Sequence, residues 1–260
     1  MKNYKFDYPT KKQIYKAIGD RDLLLYIFEP ESDTNENKPV ILFFNGGSFK
    51  KDPITPVQFQ HQARFFSKHN YVAICVDYRN GSDAGFTPVQ AICDVKSAVR
   101  WVREHSSEMR IDSNKIIVCG ASAGGYIAVS SIMFDSIDDD ENEKQTDHLP
   151  NTLVVFGAGM DGIDIMKRRY PELLQKANEY SPIHNVKKCL PQTLWLVGTK
   201  DDLFHQNIEF IKLMREKGND ITLETYEDME HGFFNYGRHN NKTWLNTSVK
   251  IKDYLESRGY

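Results

Sequence analysis

Gly120-Ala121-Ser122-Ala123-Gly124 decides the reading of this chain. Lys115-Ile116-Ile117-Val118-Cys119 precedes it, apolar and partly β-branched, and reads as a buried strand. Gly125 to Phe134 (GYIAVSSIMF) follows and reads as a buried helix. Strand, tight Gly-x-Ser-x-Gly turn and helix are the context of a nucleophile elbow. So sharp a turn strains the serine backbone and admits only tiny flanking side chains. In return, the hydroxyl is exposed beside free N–H groups at a helix N-terminus.

Working outward, strands and helices alternate along the chain. Asp22–Glu29, Pro39–Phe44, Tyr71–Asp77, Leu153–Phe156, Leu194–Val197 and Ile221–Tyr226 read as strands. Val57–His69, Thr87–Ser107, Gln206–Lys217 and Thr243–Ser257 read as helices. The clearest helix repeats Val89, Ile92, Val95, Val99 and Val102 at three- and four-residue steps, with Pro88 in its first turn. Apolar strands between amphipathic helices predict an α/β fold: a mostly parallel central sheet with helices on both faces. Two stretches break the pattern. Asp135–His148 is strongly acidic and reads as a solvated loop. Gly157–Val186 is longer than a plain crossover needs.

The 260 residues suit one α/β core, so a single domain over 1–260 is expected. Composition is that of an ordinary globule, 40% hydrophobic and 27% charged, and the net charge of −3 suggests no nucleic-acid partner. No apolar run reaches the ~18 residues of a membrane span. Residues 1–7 (MKNYKFD) contain no apolar signal segment, so the chain reads as cytoplasmic; a trimmed secreted or periplasmic chain would read the same way. Cys75, Cys93, Cys119 and Cys189 have neither C-x-x-C nor zinc-ligand spacing and read as buried hydrophobes. No metal and no cofactor is expected. Oligomeric state is left open.

A serine hydroxyl needs a base to take its proton. In the strand-turn-helix setting the chain order is serine, acid, histidine. Of eight histidines, His231 alone lies on a loop just past the last strand. For the acid, Asp201 and Asp202 both follow the strand Leu194–Val197. An oxyanion needs backbone donors. Ala123 supplies one, and the loop Asn45-Gly46-Gly47-Ser48-Phe49 after an early strand supplies the others.

These pieces resemble the α/β-hydrolase serine esterases, closest to the hormone-sensitive-lipase-like and feruloyl/acetyl-xylan-esterase-like branch. The likeness rests on Phe43–Phe49, Val76–Arg79, Asp94 with Arg100–Val102, and Gly120–Gly125. Ser181–Ile183, Gly198–Asp201 and Glu230–Phe233 complete it. It implies Asp201 as the acid and Gly47 and Ser48 as oxyanion donors. It also implies that Tyr78, Arg79 and Asp94 are structural, and that Gly157–Val186 forms a small cap. Asn45 and Ser48 depart from the family's usual His-Gly-Gly-Gly loop. The function implied is hydrolysis of small, short-acyl esters, acetyl above all, on carbohydrates. The substrate is then an ester such as an acetylated sugar. Alternatives are a serine peptidase or amidase of the same fold, and an inactive hydrolase-fold binding protein.

Overall fold

The computed structural model describes residues 2–31, 36–51, 54–138 and 146–260. Its centre is one eight-stranded sheet. The strands are β1 (Lys11–Ile18), β2 (Arg21–Phe28), β3 (Lys38–Phe44), β4 (Val72–Val76), β5 (Ile111–Ala121), β6 (Thr152–Phe156), β7 (Gln192–Gly198) and β8 (Ile221–Tyr226). Their order is β1-β2-β4-β3-β5-β6-β7-β8. β1 and β2 pair antiparallel, and β2 lies antiparallel to β4; every pairing from β4 to β8 is parallel. The fold is that of an α/β-hydrolase.

β1 has no counterpart among the strands legible in the sequence. It is the sheet's edge, and of its eight residues only Tyr15 is buried. A strand with one buried side chain carries no apolar run to read, and its lysines suit an exposed edge.

Helices α1 (Gln60–Lys68) and α6 (Lys242–Ser257) contact each other, and α2 (Pro88–Glu104) packs on α3 (Ala123–Met133). α4 (Gly162–Arg169) and α5 (Phe204–Glu216) complete the set. Thr87 and Gln90 close a capping box at the start of α2, satisfying amides that would otherwise lack partners. The core divides into two clusters because alternate strand residues face opposite ways. Leu42, Phe44, Val118 and Trp195 belong to one, and Ile41, Phe43, Cys119 and Leu196 to the other. Cys75, Cys93 and Cys119 are buried thiols within this packing.

The parallel strands β3, β5, β7 and β8 end on one edge of the sheet. The loops leaving their carboxyl ends therefore meet above it, where open α/β sheets gather ligands. Gly157–Val186 holds α4 and 3₁₀ turns at Pro171–Tyr180 and Pro182–His184. Arg79 grips Asp94 through its side chain and its backbone N–H, and Lys16 binds the same carboxylate. In the acidic stretch, residues 139–145 lie outside those described. Asp138 is not solvated: it is buried against Arg100, whose two terminal nitrogens donate to its carboxylate.

Candidate active site

The elbow is built as its sequence demands. Ser122 adopts φ 53°, ψ −116°, a left-handed backbone that side-chain-bearing residues avoid at a cost of roughly 1–3 kcal/mol. Its N–H donates to Phe156 O at 3.0 Å, and its C=O accepts from Tyr126 N at 3.0 Å. The flanking glycines are steric necessities. A Cβ on Gly124 would lie 2.0 Å from Phe44 O, and one on Gly120 would lie 2.4 Å from Gly124 O. Ser122 thus sits at the start of α3, whose first amides have no intrahelical acceptor.

Asp201 leaves β7 and is 6% exposed, whereas Asp202 is solvent-exposed. Asp201 Oδ2 lies 2.7 Å from His231 Nδ1. Its Oδ1 accepts from Leu203 N at 2.8 Å, so the carboxylate is held at both oxygens. Gly198 lets the acid and histidine loops touch, since a Cβ there would lie 2.0 Å from Met229 O. Lys200 N then donates to Met229 O, and Asp228 N to Thr199 Oγ1.

Gly157 matters in a way the sequence did not announce. Its absent Cβ would come 2.6 Å from Asp201 Oδ2. The only sequence signal was a glycine directly after the strand β6.

The loop after β3 turns through three successive positive φ angles: Gly47 (119°), Ser48 (54°) and Phe49 (57°). Among the described residues, no protein acceptor engages the Gly47 or Ser48 N–H. Gly46 N–H is taken, donating to Gln58 Oε1 at 2.8 Å. Asn45 anchors the loop: its Nδ2 donates to Gly46 O and Ile54 O, and its own C=O accepts from Tyr78 Oη at 2.7 Å.

Ser122, Asp201 and His231 line one cavity of about 250 Å³ with Ser48, Ala123 and Asp202. Phe49, Tyr126, Ile165 and Leu203 form its apolar wall, and Arg168 and Arg169 stand at its rim. Burial pushes the Tyr126 hydroxyl well above its usual range; it donates to Tyr180 O. Burial likewise raises Tyr170 to about 12, and its hydroxyl donates to Phe49 O. Both phenols therefore stay neutral at working pH. Met160 and Met166 are core residues; of the apolar cap residues, Ile165 reaches the cavity. A larger groove of about 910 Å³ lies among Lys11, Lys38, Trp101 and Arg110 and contains none of this chemistry. Convergent reactive groups, rather than volume, pick out the smaller cavity.

His239 pairs with Glu230 on the surface, and His61 stacks on Tyr236. Among the described residues, no group of three or more His, Cys, Asp or Glu is placed to hold a metal ion. None of the helices described is long and apolar enough to cross a membrane.

The fold is that of an α/β-hydrolase serine esterase. The BD-FAE family model matches residues 25–160, just over half the chain, and that of the prolyl oligopeptidase family matches residues 150–250. The chain belongs to the BD-FAE family. Among solved structures it is similar to Thermogutta terrifontis esterase 2 phosphorylated by paraoxon, at 30% identity and TM-score 0.87, covering 96% of this chain and 94% of that one. The propionate-bound form of that esterase matches at 29% identity and TM-score 0.87, covering the same shares of both chains. Lipase 2 of Moraxella sp. is 23% identical over 86% of this chain. The acylamino-acid-releasing enzyme of Arabidopsis thaliana is 23% identical over 83% of it. The chain spans 62% and 30% of the lengths of those two relatives.

Proposed function

We propose that this protein is a serine carboxylesterase acting on small, short-acyl esters, with Ser122, His231 and Asp201 as its triad. One observation carries the reading: the 2.7 Å Asp201–His231 contact lies in the cavity that also contains the strained Ser122. Ser122 Oγ attacks the ester carbonyl while His231 Nε2 takes its proton. Asp201 holds the imidazole through Nδ1, fixing the tautomer and stabilising the imidazolium. The amides of Ala123, Gly47 and Ser48 receive the oxyanion. His231 returns the proton to the leaving alcohol. Water, activated in turn by His231, then releases the acyl group from Ser122.

The cavity supports a small substrate, being below the roughly 300–1,000 Å³ of drug-sized ligand sites. The propionate-bound relative supports a short acyl group. We assign acetyl esters of sugars as the preferred class. A serine peptidase or amidase is the second reading, favoured by the prolyl oligopeptidase match over residues 150–250.

Incubation with p-nitrophenyl acetate should give a burst of p-nitrophenol and an acetylated peptide containing Ser122. Turnover of acetylated sugars and of aryl amides, compared at equal concentration, separates the two readings. Faster cleavage of the amides would favour the peptidase, and the absence of any burst or label would remove both.

A further inference from the structure

The oxyanion loop and the histidine loop are distant in sequence, yet a chain of hydrogen bonds joins them. Gly46 N–H donates to Gln58 Oε1 at 2.8 Å. Gln58 Nε2 donates to Asn235 Oδ1 at 2.9 Å. Asn235 Nδ2 donates to Gly232 O at 2.8 Å, one residue beyond His231. Both amide side chains are used at both ends. Turning Gln58 over would set its NH₂ against the Gly46 N–H, so the chain has one self-consistent direction.

Apolar packing runs beside this polar link. Phe59, next to Gln58, stacks on Phe234, next to Asn235, with ring centroids 5.8 Å apart. Phe234 in turn stacks on Phe156 at 4.0 Å. Four residues beyond Gln58, Gln62 Nε2 donates to Phe234 O at 3.1 Å. Gly232 has φ +78°, and a Cβ there would lie 2.9 Å from Asn235 Nδ2. The histidine loop is thus tied to the turn Pro56–Phe59, which holds the oxyanion loop through Gly46.

We propose that Gln58 and Asn235 are positioning residues that keep the oxyanion amides and His231 in mutual register. Neither touches substrate. The proposal rests on the esterase reading above. A tetrahedral oxyanion and a transferred proton must be served at once, so relative displacement of the two loops costs rate more than binding.

The test is steady-state kinetics on p-nitrophenyl acetate for Gln58→Leu, Asn235→Ala and the double variant, with Ser122→Ala alongside and melting temperatures for each. Each single variant should lose about tenfold or more in kcat with KM within about twofold. The double variant should lose little beyond the worse single one, since either change breaks the same link. If Gln58→Leu fails to fold, Asn235→Ala decides alone. Wild-type kcat in the loop variants beside an inactive Ser122→Ala would overturn the proposal, as would a loss confined to KM or fully multiplicative losses in the double variant. Activity retained by Ser122→Ala would remove the esterase reading, and this proposal with it.

Discussion

Gly157→Ala tests the active-site geometry from a residue that takes no part in the chemistry. The new methyl group would stand 2.6 Å from Asp201 Oδ2. The gap must open to about 3.4 Å, where ordinary contact begins, so something moves by about 0.8 Å. The glycine cannot easily retreat: its N–H donates to Leu196 O at 2.9 Å. Next to it, Ala158 is bound through both N–H and C=O to the buried Asn207, which also accepts from Trp195 Nε1. The carboxylate must therefore give way. Its other oxygen is held by Leu203 N, so the displaced Oδ2 cannot keep both that bond and the 2.7 Å contact to His231 at their present geometry. A misplacement near 1 Å in catalytic geometry costs on the order of 10²-fold in rate. The expected result is a kcat lowered by about that factor, with KM little changed. Alanine at this positive φ should also cost about 1 kcal/mol, a few degrees of melting temperature in a chain of this size. The assay is kcat and KM on p-nitrophenyl acetate beside a thermal melt. A folded Gly157→Ala protein with wild-type kcat would refute the reasoning and detach Asp201 from His231 in function.

Other outcomes follow from the same geometry. Ser122→Ala should lower kcat by roughly 10⁴-fold or more while leaving the melt nearly unchanged, and near-normal turnover on p-nitrophenyl acetate would exclude Ser122 as nucleophile. Asp201→Asn should lose orders of magnitude in kcat, whereas the exposed Asp202→Asn should keep most activity; the reverse pattern would transfer the role. Acetyl and propionyl esters should be preferred over octanoyl ones because the cavity is only about 250 Å³; specificity constants climbing steadily from two to eight carbons would contradict this. Burial pushes the Asp77 carboxyl up to about 6 despite its paired bonds from Arg21. Between pH 4 and 6 the folded chain then holds a proton that the unfolded chain has released. The stability from this group is full below pH 4 and lost as pH rises through about 6. Asp77→Asn cannot ionise there, so its melting temperature should gain on wild type as pH rises from 4 to 7, and a constant difference would dismiss the effect.

The elbow was legible in the sequence because steric demand leaves a local signature. Only glycine tolerates the 2.0 Å approach at position 124, so the spelling Gly-Ala-Ser-Ala-Gly between strand and helix is nearly forced. Chain order then singled out His231, and continuous apolar runs and a period of 3.6 marked the buried strands and α2. β1 escaped because an edge strand with one buried residue has no pattern to read. Other features belong to tertiary structure. The resemblance favours Asp201 over its neighbour Asp202, but the physical difference between them comes from the packing of the β7 and β8 loops, which buries the first against His231 and leaves the second in water. The resemblance points to Gly47 and Ser48 as oxyanion donors, but that Gln58 occupies the neighbouring Gly46 amide is visible only in the structure. Gly157 was one glycine among sixteen until the fold set Asp201 over it. In each case the deciding partner lies far along the chain. Local sequence reports the backbone's own constraints, whereas the sheet brings groups distant in the chain within hydrogen-bond reach.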